Sequence, residues 1–437
     1  MTAAENMDAG ARMFQLIERL YPIYRSITGD GVRQTLAIIQ ELIPLQMHEV
    51  ASGTPVFDWL VPKEWNIRDA YIKNAAGECV VDFRQHNLHV VNYSVPVRAR
   101  MTLQELKPHL HTLPDHPDWI PYRTSYYDET WGFCLTQRQF ENLPEGEYDV
   151  HIDATLVPGH LTYGEYFLPG ESTDEVLFYT HVCHPALCND NLSGIAVSAF
   201  LAHWLGTQPR RYSYRFVFAP GTIGSITWLS RNEAHLPNIK HGLIVALVGD
   251  AGGFTLKKTR QGDAPIDRVM QQALHECGEE YAVVDFTPYG YDERQFCSPG
   301  INLPVARLTR TPNGEYPQYH TSADNLEFVM REKLAAALRV CKASAEILEK
   351  DRCYLNTHPK GEPQLGKRGL YRKMGGQKDI GAHEHALLWV LNLSDGEHSL
   401  LDIAKRSGLR FDRVAAATDD LLACGLLREI HRHGGLK

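Results

Sequence analysis

The chain has 437 residues, more than one ordinary hydrophobic core holds, so two or three domains are expected. Hydrophobic residues make up 43% and charged residues 22%, the balance of an ordinary water-soluble globular protein. A formal net charge of −9 disfavours nucleic acid and anionic lipid as partners, and no apolar run approaches the roughly 18–20 residues of a membrane span.

The first ten residues lack a basic stretch followed by an apolar one, so no secretion signal is expected. Nine scattered cysteines, an odd number, suit a reducing cytoplasm better than a disulfide framework. Residues 11–43 read as mostly helical: Met13, Leu16, Ile17 and Leu20 recur at helical spacing, as do Leu36, Ile39 and Leu42. Pro22 ends or kinks the first helix, and Thr28-Gly-Asp-Gly31 is a turn. From about 55 to 160 short β-rich pieces alternate with Pro and Gly: Cys79–Phe83, Leu88–Tyr93, Trp131–Cys134 and Tyr148–Asp153. Aromatics are dense over Pro121–Tyr127 and at Trp131, which reads as core before binding wall. With helices before it and a βα run after it, this stretch is read as a small β domain inserted into the main one.

From 160 to 355 strands and helices alternate, the signature of an α/β core with a mostly parallel sheet. The strands are Val176–His181, Tyr214–Ala219, Leu243–Val248 and Val305–Leu308; the helices are Leu192–Leu205, Ile223–Ser230, Ile266–Cys277 and Lys333–Leu348. Pro359–Gly366 reads as a linker. Beyond it, helices over Ala386–Leu393, Ser399–Gly408 and Phe411–Cys424, then a strand at Leu426–Ile430, resemble a winged helix. From residue 365 on there are 12 Lys/Arg against 9 Asp/Glu, and the expected recognition helix, the third, carries Asp412, Asp419 and Asp420 beside Arg410 and Arg413. DNA readout wants a basic helix, so a packing or protein-contact role is expected, with self-assembly into a homo-oligomer open to it. The division expected is 1–55 with 160–358 as core, 56–159 as insertion, and 365–437 as winged helix.

The chemistry concentrates in two places. The strand ending at His181 runs into Val182-Cys-His-Pro-Ala-Leu-Cys-Asn-Asp-Asn-Leu-Ser-Gly194, and a second polar cluster stands at Tyr319-His-Thr-Ser-Ala-Asp324. Two imidazoles and a carboxylate on loops at the ends of a parallel sheet are what a catalytic zinc needs, which makes His184, Asp190 and His320 the candidate metal ligands. A local structural zinc site using Cys183 and Cys188 is disfavoured by the irregular spacing; both read as buried fillers. Asp190 taken alone could be an N-cap, Asn191 or Ser193 could cap the following helix, and Gly194 allows close helix–sheet packing. Asp324 could orient an imidazole.

These features resemble the zinc aminopeptidase family that also contains glutamate carboxypeptidase and glutaminyl cyclase. More closely, the whole chain resembles an uncharacterised bacterial and archaeal family with an aminopeptidase-like core, an inserted small β domain and a C-terminal winged helix. The residues that carry it are Trp65–Ala70, Tyr163-Gly-Glu165, His181–Pro185, Gly221–Ser225, Asp292–Phe296 and Tyr319–Asn325. The resemblance implies a metal-bridging position for Asp190, a late histidine ligand at His320, an early one at His184 or His181, with His184 chosen, and a further carboxylate at Asp250. It also implies a zinc-dependent hydrolase acting on an amide bond beside a free amine of a peptide or small molecule, near polysaccharide or secondary-metabolite pathways. Where the family places paired glutamates, Phe218–Ser225 has no carboxylate and Gly221 stands instead. One zinc is therefore expected, and the general base or amine anchor moves to Glu293, with Asp292 beside it. The alternative is a non-catalytic metal- or ligand-binding assembly protein with the winged helix as its contact domain.

Overall fold

A computed structural model describes residues 3–370 and 381–430. Two helices, α1 (Ala3–Leu20) and α2 (Asp30–Gln40), open the chain. An edge strand follows, β1 (Gln46–Ala51). The inserted segment then contributes β2 (Glu64–Lys73), β3 (Cys79–Asp82), β4 (Val97–Thr102) and β5 (Glu147–Val157), all paired antiparallel in the order β3-β2-β5-β4. The main sheet continues with β6 (His160–Leu168), β7 (Glu175–His181), helix α3 (Gly194–Leu205), β8 (Ser213–Ala219), helix α4 (Ile223–Arg231) and β9 (Ile239–Val245). Then come β10 (Phe254–Lys257), α5 (Pro265–Cys277), β11 (Tyr281–Val284), the single turn α6 (Glu293–Phe296), β12 (Val305–Thr309) and α7 (Arg331–Lys350).

The eight strands of the main sheet lie in the order β1-β6-β8-β7-β9-β12-β10-β11. The central four, β8-β7-β9-β12, are parallel, and β1, β6 and the β10–β12 pairing run antiparallel. Every residue of β7 is buried, as expected of a strand covered on both faces. Its one charge, Glu175, is bound by Arg215 at 2.7 and 3.0 Å. On one face α3 packs on β7 and β9. On the other, Leu177 and Tyr179 join Ile223, Ile226 and Trp228 of α4 and Trp65, Tyr93 and Tyr148 of the insertion in one apolar cluster. Chain order reverses around β7: β8 lies on one side of it and β9 on the other. The carboxyl end of β7 is thus a topological switch point, where open α/β sheets form their binding crevices.

The expected mixed α/β core with an inserted β sheet is what the structure shows. Leu88–Tyr93 is the exception among the predicted β pieces: Asn87–His89 is a tight 3-10 turn and only single bridges follow, at Val90 and Asn92. The ten-residue β2, β10 and the edge strand β11 are not among the expected strands; β2 and β10 mix polar with apolar residues, and the apolar Tyr281–Val284 is only four residues long.

By contact the chain divides into two compact units, Met1–Asp267 with Glu279–Arg339, and Arg268–Gly278 with Val340–Lys437. The second holds β13 (Cys353–Asn356), α8 (Ala382–Leu393), β14 (Asp395–Ser399), α9 (Leu400–Ser407), α10 (Phe411–Ala423) and β15 (Leu427–Ile430). The three strands pair antiparallel with β13 central. A capping box between Ser399 and Asp402 starts α9, and Gly408, left-handed at φ 70°, ends it. Phe411, Val414 and Leu421 bury one face of α10, while Arg410 is paired with Asp412 and Asp420 with His383.

Candidate metal centre

At the end of β7 the chain turns back on itself within nine residues. His181 Nε2 comes 2.7 Å from Asp190 Oδ1, and His320 Nε2, from a loop before α7, comes 3.0 Å from Asp190 Oδ2. His184 Nδ1 lies 4.0 Å from Oδ1. The structure thus brings together the three expected candidates, His184, Asp190 and His320. It adds His181, which with His184 and Asp190 offers ligand atoms all within 4.8 Å of one another.

The loop carrying Asp190 is tied to the ends of the neighbouring strands by its polar side chains. Asn191 Nδ2 donates to Thr180 Oγ1 (2.8 Å) and to the His181 carbonyl (3.1 Å), and its Oδ1 accepts from Leu247 N. Ser193 Oγ accepts from Val248 N, and Asn189 Oδ1 from Gly249 N. Neither Asn191 nor Ser193 caps α3 as expected, because the backbone beyond β9 needs acceptors in a buried place and these side chains supply them. Gly194 permits the close approach: a Cβ there would stand 2.5 Å from the Val245 carbonyl. Asp324 holds backbone rather than an imidazole, accepting from Asn189 N at 2.6 Å and Asp190 N at 2.9 Å. Burial pushes its carboxyl up to about 8 despite those bonds. Asp250 is occupied by Asn189 Nδ2, Gly252 N and Thr311 Oγ1. Arg25, wholly buried between α1 and α2, donates to the His184 carbonyl at 2.9 Å.

Tyrosines enclose the imidazoles. Tyr291 stacks on His181 at 4.3 Å, Tyr319 stacks on His320 at 3.9 Å, and Tyr122 meets His184 and His320 edge-on. The Tyr291 hydroxyl donates to Asp190 Oδ2 at 2.9 Å and lies 3.2 Å from the Tyr319 hydroxyl. Tyr122 comes from the insertion, whose backbone N–H bonds the His320 carbonyl at 2.8 Å. Ala186, Thr222, Leu247 and His320 around this place all have positive φ (41°, 59°, 52° and 56°), a conformation side chains rarely adopt outside functional sites.

Burial opposes a charge on Asp190, but the imidazoles of His184, His181 and His320 overcome it and hold the carboxyl well below its usual range. Burial pushes His184 down to about 3, against the pull of the Asp190 carboxylate beside it. Among the described residues no lysine or arginine pairs with Asp190. A buried carboxylate faced by imidazoles and one tyrosine hydroxyl, with no lysine or arginine, is a donor set that could hold a divalent cation, and imidazole with carboxylate suits zinc.

Residues 14–351 match a family described as a domain of unknown function, DUF4910, and residues 352–429 match a winged helix-turn-helix family. The chain belongs to the DUF4910 family. A Clostridium acetobutylicum protein named for polysaccharide biosynthesis and an aminopeptidase-like domain is 55% identical over 96% of this chain and 97% of its own length. A crystal structure from that organism, named as a peptidase, superposes with a TM-score of 0.93 at 53% identity over 98% of each chain. The zinc aminopeptidase of Bacillus subtilis shares the fold alone: TM-score 0.57 at 15% identity, over 78% of this chain and 94% of that one.

In this DUF4910 chain the two carboxylates before and within α6 are placed differently from one another. Glu293 lies in a buried ion cluster with Lys257 (2.9 Å) and Arg307 (3.3 Å) and accepts from Tyr291 N. Asp292 Oδ1 accepts from Thr222 N and Ser225 Oγ, both at 2.7 Å, at the start of α4. Its Oδ2 is buried with no hydrogen-bond partner, as is Nδ1 of His181. The tyrosine cage and Arg25 gave no signal in the sequence beyond the adjacency of Tyr319 to His320 and of Tyr291 to Asp292.

Proposed function

We propose that this chain is a metal-dependent amide hydrolase, with one zinc ion held by Asp190 and by imidazoles drawn from His181, His184 and His320. The observation that supports this most is the buried Asp190 carboxylate, faced by three imidazoles and by no basic side chain. The fold and the aminopeptidase-like domain in the name of the Clostridium protein favour a free amine beside the cleaved bond, and that name favours a place in polysaccharide pathways. When bound, zinc polarises a carbonyl and brings the pKa of a bound water to about 7. Burial and the Asp190 charge raise Tyr291 well above its usual range, so its hydroxyl stays protonated, and on turning away from Asp190 that one O–H could donate to a carbonyl oxygen that gathers negative charge. Asp292, expected as base or amine anchor beside Glu293, is anchored at the start of α4 by Thr222 and Ser225 and leaves one buried oxygen free. Glu293 is assigned to fixing Tyr291 through the backbone, since Lys257 and Arg307 neutralise its charge.

Elemental analysis and a panel of aminoacyl amides, with and without N-acetylation, test the reading. One zinc per chain and hydrolysis of the free-amine members are expected. No zinc and no hydrolysis would overturn it and leave the second reading, a ligand-binding assembly protein, which the missing side chain at Gly221 favours.

A further inference from the structure

A cavity of about 310 Å³ opens beside His184, in the same unit as the metal centre. Its floor is Gly221 and Thr222, one wall is Tyr291, and its rim carries Trp59 and Tyr127 from the insertion. None of its lining residues is an aspartate, glutamate, lysine or arginine. Trp59 and Tyr127 are 41% and 51% exposed, yet their rings contact each other at 5.5 Å. Large aromatic side chains are costly to leave in water, and here two stand at the mouth of a recess with no charge of its own. Gly221 makes the room. A Cβ on it would meet nothing closer than Cys183 Sγ at 3.4 Å, so the fold would tolerate a side chain there, and the space is open because there is none.

We infer that this cavity is the specificity pocket, and that it takes an uncharged ring with a flat apolar face, carried by the molecule whose amide reaches the His/Asp cluster. It rests on the hydrolase reading only in calling that molecule the substrate. Continuity with the metal centre through His184 fixes where the ring lies, the absence of charged lining fixes its neutrality, and the Trp59–Tyr127 rim fixes its flat face. An aromatic side chain and a sugar ring share that chemistry. On this view the inserted β domain, and not the α/β core, selects the substrate.

The test is calorimetric binding of L-phenylalaninamide and of N-acetylglucosamine, called uncharged for their rings, to the full chain. Glutamic acid α-amide, which shares the α-amine of the first but has a charged side chain, is the charged comparison. At least one uncharged probe should bind more tightly than the charged one. Its affinity should fall about tenfold in Trp59→Ala and in Tyr127→Ala, the scale of a lost ring contact and its buried area. Gly221→Leu, which fills the floor, should abolish it, while zinc content stays at the wild-type level in all three. Tighter phenylalaninamide identifies an aromatic side chain, and tighter N-acetylglucosamine a sugar. The inference is overturned if neither uncharged probe binds, if the charged amide binds equally well, or if both rim variants keep wild-type affinity. If no amide is cut by the wild-type chain, the hydrolase reading falls while these affinities still decide the pocket.

Discussion

Asp190 has to be buried and ionised at once, and a protein tolerates that only when something compensates the charge. Asp190→Asn removes the charge and keeps the shape. Its metal-free form should unfold at a midpoint no lower than that of metal-free wild type, while the rise in melting temperature on adding zinc disappears. For the wild type that rise should correspond to about 4 kcal/mol when zinc stands at a thousand times its dissociation constant. A zinc-dependent rise that survives the substitution would remove Asp190 from the ligand set. The opposite holds for Glu293, which neutralises two buried cations. Glu293→Gln should cost about 3 kcal/mol in urea unfolding, and adding Lys257→Met should return part of it. A third residue gives a pH signature away from the metal centre. Burial, with Arg211 and Lys240 nearby, pushes His241 down to about 3. The unfolded chain therefore takes up a proton below about pH 6.5 that the folded chain refuses. Stability is full above that pH and erodes as pH falls towards 3, by up to about 1.4 kcal/mol per unit from this group. His241→Phe should flatten the acid limb of urea midpoint against pH.

At the scale of elements, α3 and the end of β9 approach closely beside the site. Gly194→Ala places a methyl group where the Val245 carbonyl already stands, and should cost about 1–3 kcal/mol and weaken zinc binding with it. Wild-type zinc affinity with unchanged stability would show that the loop does not depend on that approach. The elements nearest this contact were also the most legible. β7, β8 and α3 are continuous apolar segments because both of their surroundings are dry, and burial of that kind writes itself into composition. β10 and β11 lie at the margin of the sheet, where Tyr281–Val284 are all exposed and pattern carries little. For the site the same division holds. Residues 184, 190 and 320 stood out only together, because each alone has a common structural use and it is two separate polar clusters at strand ends that point to one place. Asp324 was read as a partner of an imidazole because sequence gives adjacency and not direction; the structure turns it to the backbone of residues 189 and 190. The choice between His181 and His184 depended on three residues of loop geometry, and the structure places both at the cluster.

For the molecule as a whole, the winged helix carries positive and negative charge in pairs, and the whole chain is acidic. In a gel-shift assay at 150 mM salt, duplex DNA should not be retarded at 1 μM protein, since non-specific affinities of roughly 10⁻⁴–10⁻⁶ M already require a basic face. Retardation at that concentration would restore the motif to its DNA-reading use. Domain order was legible at this scale, because texture changes sharply from helical to β-rich to alternating segments. The role of the insertion was not: that Tyr122 reaches over two imidazoles is a fact of long-range geometry.

The Tyr122–His320 backbone bond has a temporal consequence. Of the groups that surround the imidazoles, Arg25 is made early in synthesis, Tyr122 later, the residues from 181 to 190 later still, and His320 last. A ribosome that has released only the first three hundred residues holds a chain with His181, His184 and Asp190 but without His320. If His320 is one of the ligands, as proposed, the complete set exists only once the polypeptide is nearly finished, and chains arrested before Gln318 should hold zinc more weakly than the full chain.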